Sequence, residues 1–200
     1  MRIGIFGTGG MARALSPHWA NAGHELMVAG RDPARAAALG ARTGTWAEVA
    51  AFADALLLAV PADAVFEVLG AAGPLRGKVL VDCTNQPGPT GTEPPPGTPV
   101  ATRIATAAPD AHVVKAFNLA PPDVWRKPPK TLTVPLCGDD PAALDAVRTL
   151  VRDVGCTPVL GGDLDRAHLL EATAAFAIGL WFAGEDARAI LVSAHGGDVP

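Results

Sequence analysis

Arg2-Ile3-Gly4-Ile5-Phe6-Gly7-Thr8-Gly9-Gly10-Met11-Ala12 decides the fold. A short apolar run that ends in a G-x-G-x-x-A turn and passes into an alanine-bearing stretch reads as a strand, a tight turn and a helix. Gly7 permits the turn, Gly9 lets the backbone approach a pyrophosphate, and Ala12 lets the helix pack closely on the strand. Thr8, Gly10 and Met11 complete a turn whose helix amino terminus offers free N–H groups and a positive dipole to an anion. A dinucleotide is the ligand such a turn takes; a glycine turn without ligand is the plain alternative.

Beyond this unit, apolar stretches suited to buried strands alternate with alanine-rich stretches suited to helices. The pattern predicts an α/β fold: a Rossmann-type, doubly wound, mainly parallel sheet with a small C-terminal helical segment. Strands are expected near 2–7, 24–29, 54–60, 78–82, 111–116, 131–136 and 156–160, and helices near 10–22, 33–41, 62–72, 100–107 and 141–153, with a helical region from about 164 to 192. The division falls at a dinucleotide-binding domain over 1–160 and a segment over 161–200 that covers the cleft or forms a dimer interface. Pro17 should bend or shorten the first helix, because proline lacks an amide donor. The run from Gln86 to Pro99, rich in proline and glycine, cannot form regular structure and follows a strand whose end faces the ligand crevice; a flap and a plain surface loop are both open.

Where an NAD-binding domain normally ends its second strand with an acid for the ribose hydroxyls, this chain has Val28-Ala29-Gly30-Arg31-Asp32. Arg31 can meet a 2′-phosphate with a planar fork of donors, and Arg35 can add a second charge one turn onward. The substitution favours NADP over NAD. Asp32 carries the competing case, as an NAD-type acid or as the N-cap of a helix opening at Pro33.

The 200 residues are 49% hydrophobic and 18% charged, with a net charge of −4, which suits one compact unit and gives no overall attraction for nucleic acid or anionic membrane. Cys83, Cys137 and Cys156 are odd in number and far apart, so neither a disulfide framework nor a zinc site is expected. The run from Ala172 to Gly184 falls short of the roughly 20 residues a membrane span needs. With the domain starting at residue 1, a cytoplasmic protein is expected.

No tyrosine occurs, which excludes a Tyr-x-x-x-Lys proton relay, and the lysines, at 78, 115, 127 and 130, leave no lysine acid in the C-terminal helices. The histidines, at 18, 24, 112, 168 and 195, have no metal-ligand spacing. His168 and Glu171 lie three apart near where substrate could sit, although such pairs usually just share a helix face. These exclusions describe an enzyme that aligns two partners for direct hydride transfer to a small-molecule redox substrate and needs little side-chain proton chemistry.

With these features the chain resembles the NADPH-dependent coenzyme F-420 reductases and the predicted dinucleotide-binding enzymes related to pyrroline-carboxylate reductases. The likeness rests on the Gly7-Thr8-Gly9 turn with Arg31, on Val113-Val114-Lys115-Ala116-Phe117-Asn118, on Cys137-Gly138-Asp139-Asp140, and on Gly161 to Glu171. It implies that Thr8, Arg31 and Arg35 hold the 2′-phosphate side and that Val60 and Pro61 line the ribose and nicotinamide path. Asn85, Ala116, Phe117 and Asn118 would sit near the nicotinamide, although Phe117 could equally be a core aromatic and Asn85 a turn residue. NADP(H) is the implied cofactor and coenzyme F-420 the co-substrate, with hydride passing between nicotinamide C4 and deazaflavin C5.

Two other readings stay open. One is an NADPH-dependent reductase of a small imine or carbonyl compound, with Thr84, Asn118 or His168 as proton donor; the other is a non-catalytic NADP-binding module. A homodimer through the 164–192 helices is expected, because Phe176, Ile178, Leu180, Trp181 and Phe182 are more apolar surface than the chain can easily bury.

Overall fold

The computed structural model describes residues 1–86 and 98–185. The central segment of the proline-rich run, and the helical region past 185, lie outside the described residues.

An eight-stranded sheet in the order β3-β2-β1-β4-β5-β6-β7-β8 forms the middle layer. Its strands are β1 (Arg2–Phe6), β2 (Glu25–Ala29), β3 (Arg42–Thr43), β4 (Ala55–Leu58), β5 (Val79–Asp82), β6 (His112–Lys115), β7 (Thr133–Gly138) and β8 (Thr157–Gly162). From β3 to β6 all pairings are parallel, β7 runs antiparallel to β6, and β8 is parallel to β7. The order reverses between β1 and β4, which opens the ligand crevice beyond the carboxyl ends of those strands.

The helices are α1 (Gly10–Asn21), α2 (Pro33–Ala37), α3 (Trp46–Phe52), α4 (Val65–Ala72), α5 (Val100–Ala107), α6 (Pro122–Arg126), α7 (Pro141–Asp153) and α8 (Ala167–Phe182), the last preceded by a 3-10 turn over Leu164–Arg166. Two buried cores lie on opposite faces of the sheet. Ile3, Ile5, Leu57 and Val81 pack against Leu15 and Trp19 of α1 and Leu150 of α7 on one. Phe6, Leu56 and Leu80 pack against Val49, Val65, Ile104 and Ala167 on the other. The period-two alternation of each strand sends neighbouring side chains to the two cores, so near-continuous apolar runs are the strand signature of a doubly covered sheet.

Four features depart from the sequence expectations. Helix α1 runs through Pro17 to Asn21. Pro17 is exposed, while Ala12, Leu15 and Trp19 anchor the helix on the sheet, and that packing outweighs one lost hydrogen bond. The short elements α3, α6 and β3 were not foreseen. Helix α2 ends at Ala37 rather than near 41. Strand β8 continues to Gly162, past the division at 160, and Leu164 and Ala167 join the sheet's core. Among the described residues no helix is long and apolar enough to cross a membrane, and no cluster of His, Cys, Asp and Glu could hold a metal ion.

Candidate functional site

The turn after β1 is shaped by the strands beside it. Gly7 has φ +112°, and a Cβ there would stand 2.3 Å from the Ala59 carbonyl oxygen and 3.1 Å from Val60 Cγ1, so only glycine fits. Its amide donates to the Ala29 carbonyl at 2.8 Å, tying the turn to the end of β2. Gly9, the N-cap of α1, is different: φ is −79°, the residue is exposed, and a Cβ would come no closer than 3.9 Å to Ala59. A side chain at Gly9 would therefore project into open crevice rather than into protein. No side chain caps α1, so its first amides remain available to an anion. Gly10 serves packing, because a Cβ would meet Pro122 Cγ of α6 at 2.7 Å. Met11 is half-buried against the core. Arg13, which the sequence reading passed over, folds back so that its Nε donates to the Thr8 carbonyl at 3.2 Å, adding a cation beside the turn.

At the end of β2, a Cβ on Gly30 would lie 2.5 Å from Thr8 Cγ2, so the two turns touch. Arg31 follows, exposed. Asp32 is the N-cap of α2: its Oδ1 accepts from the Ala34 amide at 3.0 Å and the Arg35 amide at 3.3 Å. Its carboxylate also stands 3.8 Å from the Arg35 guanidinium. The helix start thus already engages the one acid that could have taken ribose hydroxyls, while Arg31 stands unengaged by any carboxylate among the described residues.

Val60 and Pro61 follow β4 directly, Val60 half-buried beside Gly7 and Pro61 exposed. Across the crevice, Asn85 and Asn118 are joined: Asn85 Nδ2 donates to the Asn118 carbonyl at 2.7 Å and Asn118 Nδ2 to Asn85 Oδ1 at 3.0 Å. Asn118 Nδ2 also donates to the Leu170 carbonyl of α8 at 3.2 Å, whereas Asn118 Oδ1 is buried without a partner among the described residues. Flipping the amide would set oxygen against both acceptors, so the unpaired oxygen is the consistent assignment. A buried acceptor left unpaired costs about 1–3 kcal/mol and is a place for a ligand donor.

Ala116 and Phe117 are fully buried. Phe117 has φ +62°, and its ring lies edge-on between Trp19 and Trp125 at 6.1 and 5.3 Å. Its side chain is a core aromatic; its contribution to the crevice is the backbone turn that swings Asn118 toward Asn85. His168 is exposed, its Nδ1 bonded to the Asp165 carbonyl at 2.5 Å. Glu171 is instead buried, and the pair shares no partner.

The largest buried polar assembly was not singled out from the sequence. Lys115, at the end of β6, is 0% exposed and donates to Asp82 Oδ2 at 2.9 Å, the Thr84 carbonyl at 2.6 Å and Glu171 Oε1 at 2.9 Å. Burial alone would lower its pKa, but the carboxylates of Asp82 and Glu171 outweigh that and hold it above the ordinary lysine value, so it is an ammonium. Thr84 Oγ1 donates to Asp82 Oδ1 at 2.7 Å. The signal in the sequence was a charge at the same place in two apolar strands, Val79-Leu80-Val81-Asp82 and His112-Val113-Val114-Lys115, whose register pairs Asp82 with Lys115. Cys83, beside this group, is fully buried and its thiol is pushed up to about 12, chiefly by desolvation; Cys137 and Cys156 are also free and buried.

Comparison with known proteins extends this picture. Residues 2–86 match the family described as NADP oxidoreductase, coenzyme F420-dependent. The metalloreductase STEAP3 of Rattus norvegicus is 30% identical over 177 residues, which are 86% of this chain but 36% of that protein. Among solved structures, a provisionally named F-420-dependent NADP reductase from Arthrobacter sp. FB24 is 28% identical with a TM-score of 0.81, covering 92% of this chain and 96% of that one. A reductive aminase from Aspergillus terreus, solved with NADPH and ethyl levulinate, has a TM-score of 0.70 at 24% identity over 92% of this chain and 62% of its own, a likeness of fold.

Proposed function

We propose that this chain, whose residues 2–86 carry the family match, is an NADP(H)-dependent oxidoreductase that exchanges a hydride with the deazaflavin coenzyme F-420. The observation that carries the reading is the turn after β1. Gly7 is the only residue type its close approach to Ala59 admits, Gly9 leaves the crevice open, and the uncapped start of α1 offers its amides to a pyrophosphate. Two further features fit the cofactor: Arg31, without a carboxylate partner among the described residues, suits a 2′-phosphate, and Asn118 Oδ1, unpaired among the same residues, suits a carboxamide N–H. Arg35 adds charge at the phosphate end, although Asp32 draws on it.

Bound NADPH would supply the hydride at its nicotinamide C4. The chain's own residues then have to bind, orient and exclude water, tasks this reading gives to Val60, Pro61, Asn85 and Asn118. Lys115 has all its donors engaged and the Thr84 hydroxyl already donates to Asp82, so neither has a free N–H or O–H to turn toward a substrate. Asn118 Nδ2 likewise has both hydrogens engaged, which leaves His168, exposed at the start of α8, as the remaining candidate donor and favours a redox partner that handles its own proton over an imine or carbonyl. The likeness to the Arthrobacter protein across nearly its whole length supports the same choice.

The C-terminal segment over 161–200 would cover the cleft or join two copies. Helix α8 is apolar around its circumference, and Phe176, Trp181 and Phe182 are 58%, 64% and 78% exposed, which suits a homodimer. A sedimentation profile with dimer at micromolar concentration is expected; monomer alone would end that part of the reading.

Purified protein mixed with NADPH and oxidised coenzyme F-420 should bleach the deazaflavin's visible absorbance, and NADH should do so far more slowly. Saturable NADPH binding without bleaching would move the search to imines and carbonyls, and binding with no acceptor at all to a non-catalytic module.

A further inference from the structure

The cofactor reading gives no task to the buried charges Lys115, Asp82 and Glu171, which lie on the face of the sheet that carries α5 and α8. Each Lys115 donor reaches a different chain segment or its neighbour: Asp82 at the end of β5, the Thr84 carbonyl just beyond it, and Glu171 in α8. Glu171 reaches further. Its Oε2 accepts from the Val100 amide at 3.0 Å and its Oε1 from the Ala101 amide at 3.1 Å, the opening amides of α5, whose N-cap Pro99 has no side chain to offer. A residue of α8 therefore caps α5. One position earlier, the Leu170 carbonyl accepts from Asn118, and Asn118 bonds Asn85. Two neighbouring residues of α8 thus grip the segments after β5 and β6 on which Asn85 and Asn118 stand.

An apolar trio would serve stability about as well as a buried ion triad. What the triad adds is direction: each bond fixes one donor against one acceptor, so the Thr84 carbonyl, and Asn85 next to it, have one position. The Gly7 turn and Arg31 belong to β1 and β2. Since β4 and β5 separate β1 from β6, the triad's lysine stands about three strand spacings, roughly 14 Å, from the turn's own strand.

We propose that Lys115, with Asp82 and Glu171, is a positioning group that sets the nicotinamide half of the crevice and leaves the adenosine half untouched. The proposal rests on the cofactor reading above, and it assigns Lys115 no proton transfer. It places the coupling of α8 to the active crevice in two bonds, Lys115 to Glu171 and Asn118 to Leu170.

Glu171→Gln is the informative variant, because it keeps the side chain's shape but replaces one carboxylate oxygen with an amide nitrogen that cannot accept from Lys115 or from the α5 amides. Affinity is measured for NADPH and for 2′,5′-ADP, which carries only the phosphate end, together with the emission of bound NADPH. The expected result is unchanged 2′,5′-ADP affinity, NADPH affinity weakened about tenfold, as for one charge-assisted hydrogen bond, and a changed emission from the bound nicotinamide. Should Glu171→Gln not fold, the neutral combination Lys115→Met, Asp82→Asn and Glu171→Gln replaces it under the same expectation. Parallel losses of both ligands, or no loss of either, in protein whose wild type binds both would overturn the positioning role alone. Wild-type protein that binds neither ligand would overturn the cofactor reading and this inference with it.

Discussion

Gly9→Ala separates what the turn does for folding from what it does for ligand. Gly9 has an extended conformation that any residue adopts, and a Cβ would lie 3.9 Å from its nearest neighbour, an ordinary contact. Replacing glycine where alanine fits narrows the unfolded ensemble and stabilises by about 0.4–1 kcal/mol. At about 2–4 °C per kcal/mol for a chain of this size, Tm should hold or rise by a few degrees. The same methyl group faces the start of α1, where the pyrophosphate would approach. Displacing it from one or two charge-assisted amide bonds costs about 1.5–3 kcal/mol, roughly a 10- to 150-fold loss of NADPH affinity. Gly7→Ala supplies the contrast: φ +112° and a 2.3 Å contact with the Ala59 carbonyl require strain of about 1–3 kcal/mol plus displacement of β4, so that variant should melt several degrees lower. Thermal melting by circular dichroism and NADPH titration by fluorescence read both. A Gly9→Ala protein that melts lower yet binds NADPH as wild type would refute the assignment of the open side of the turn to the phosphates.

Arg31→Ala should weaken NADPH binding by about 1.5–3 kcal/mol while sparing NADH and Tm, because the side chain is exposed and unengaged; equal losses for both cofactors would remove the 2′-phosphate role. His168→Ala should leave turnover and NADPH affinity unchanged, since among the described residues the exposed ring bonds only the Asp165 carbonyl before its own helix; a strong fall in kcat with intact affinity would return the histidine to the mechanism. Asp54 is held below its ordinary value of 3.8, chiefly by hydrogen bonding to Arg2. A depressed carboxylate contributes stability above that value and loses it as pH falls through the folded pKa, so Asp54→Asn should lower Tm slightly at pH 7 and by less at pH 2, by differential scanning calorimetry. An equal effect at both pH values would contradict the ion-pair origin.

The parts of the fold that repeat a local rule were legible in the sequence. Strands β1, β2, β5, β6 and β7 are apolar runs closed by a polar residue or a glycine, and α7 begins where Asp140 caps it and Pro141 opens it; no local cap marks the start of α5, whose first amides are taken by Glu171 of α8. Helix α3 was legible and overlooked: Thr45 and Glu48 form a reciprocal capping box three residues apart, with Glu48 Oε2 accepting from the Thr45 amide at 2.8 Å. The antiparallel course of β7 had no local signal, since strand direction follows from how the chain returns through α6 rather than from the strand's own residues. In the site, Gly7, Gly9 and Arg31 were singled out as candidates because the strand–turn–helix context lies within some thirty residues. Lys115 was not, because its partners Asp82 and Glu171 lie 33 and 56 positions away. Phe117 shows the other side of that limit: an aromatic at a strand end can face ligand or core, and only the positions of Trp19 and Trp125 decide.

The most direct measurement is calorimetric titration of the wild-type protein with NADPH, NADH and 2′,5′-ADP under one buffer. The account predicts one saturable NADPH site per chain, competition by 2′,5′-ADP, and NADH binding weaker by roughly the 10- to 150-fold that the 2′-phosphate contacts are worth. Equal affinity for NADPH and NADH, or no binding of either, would contradict it.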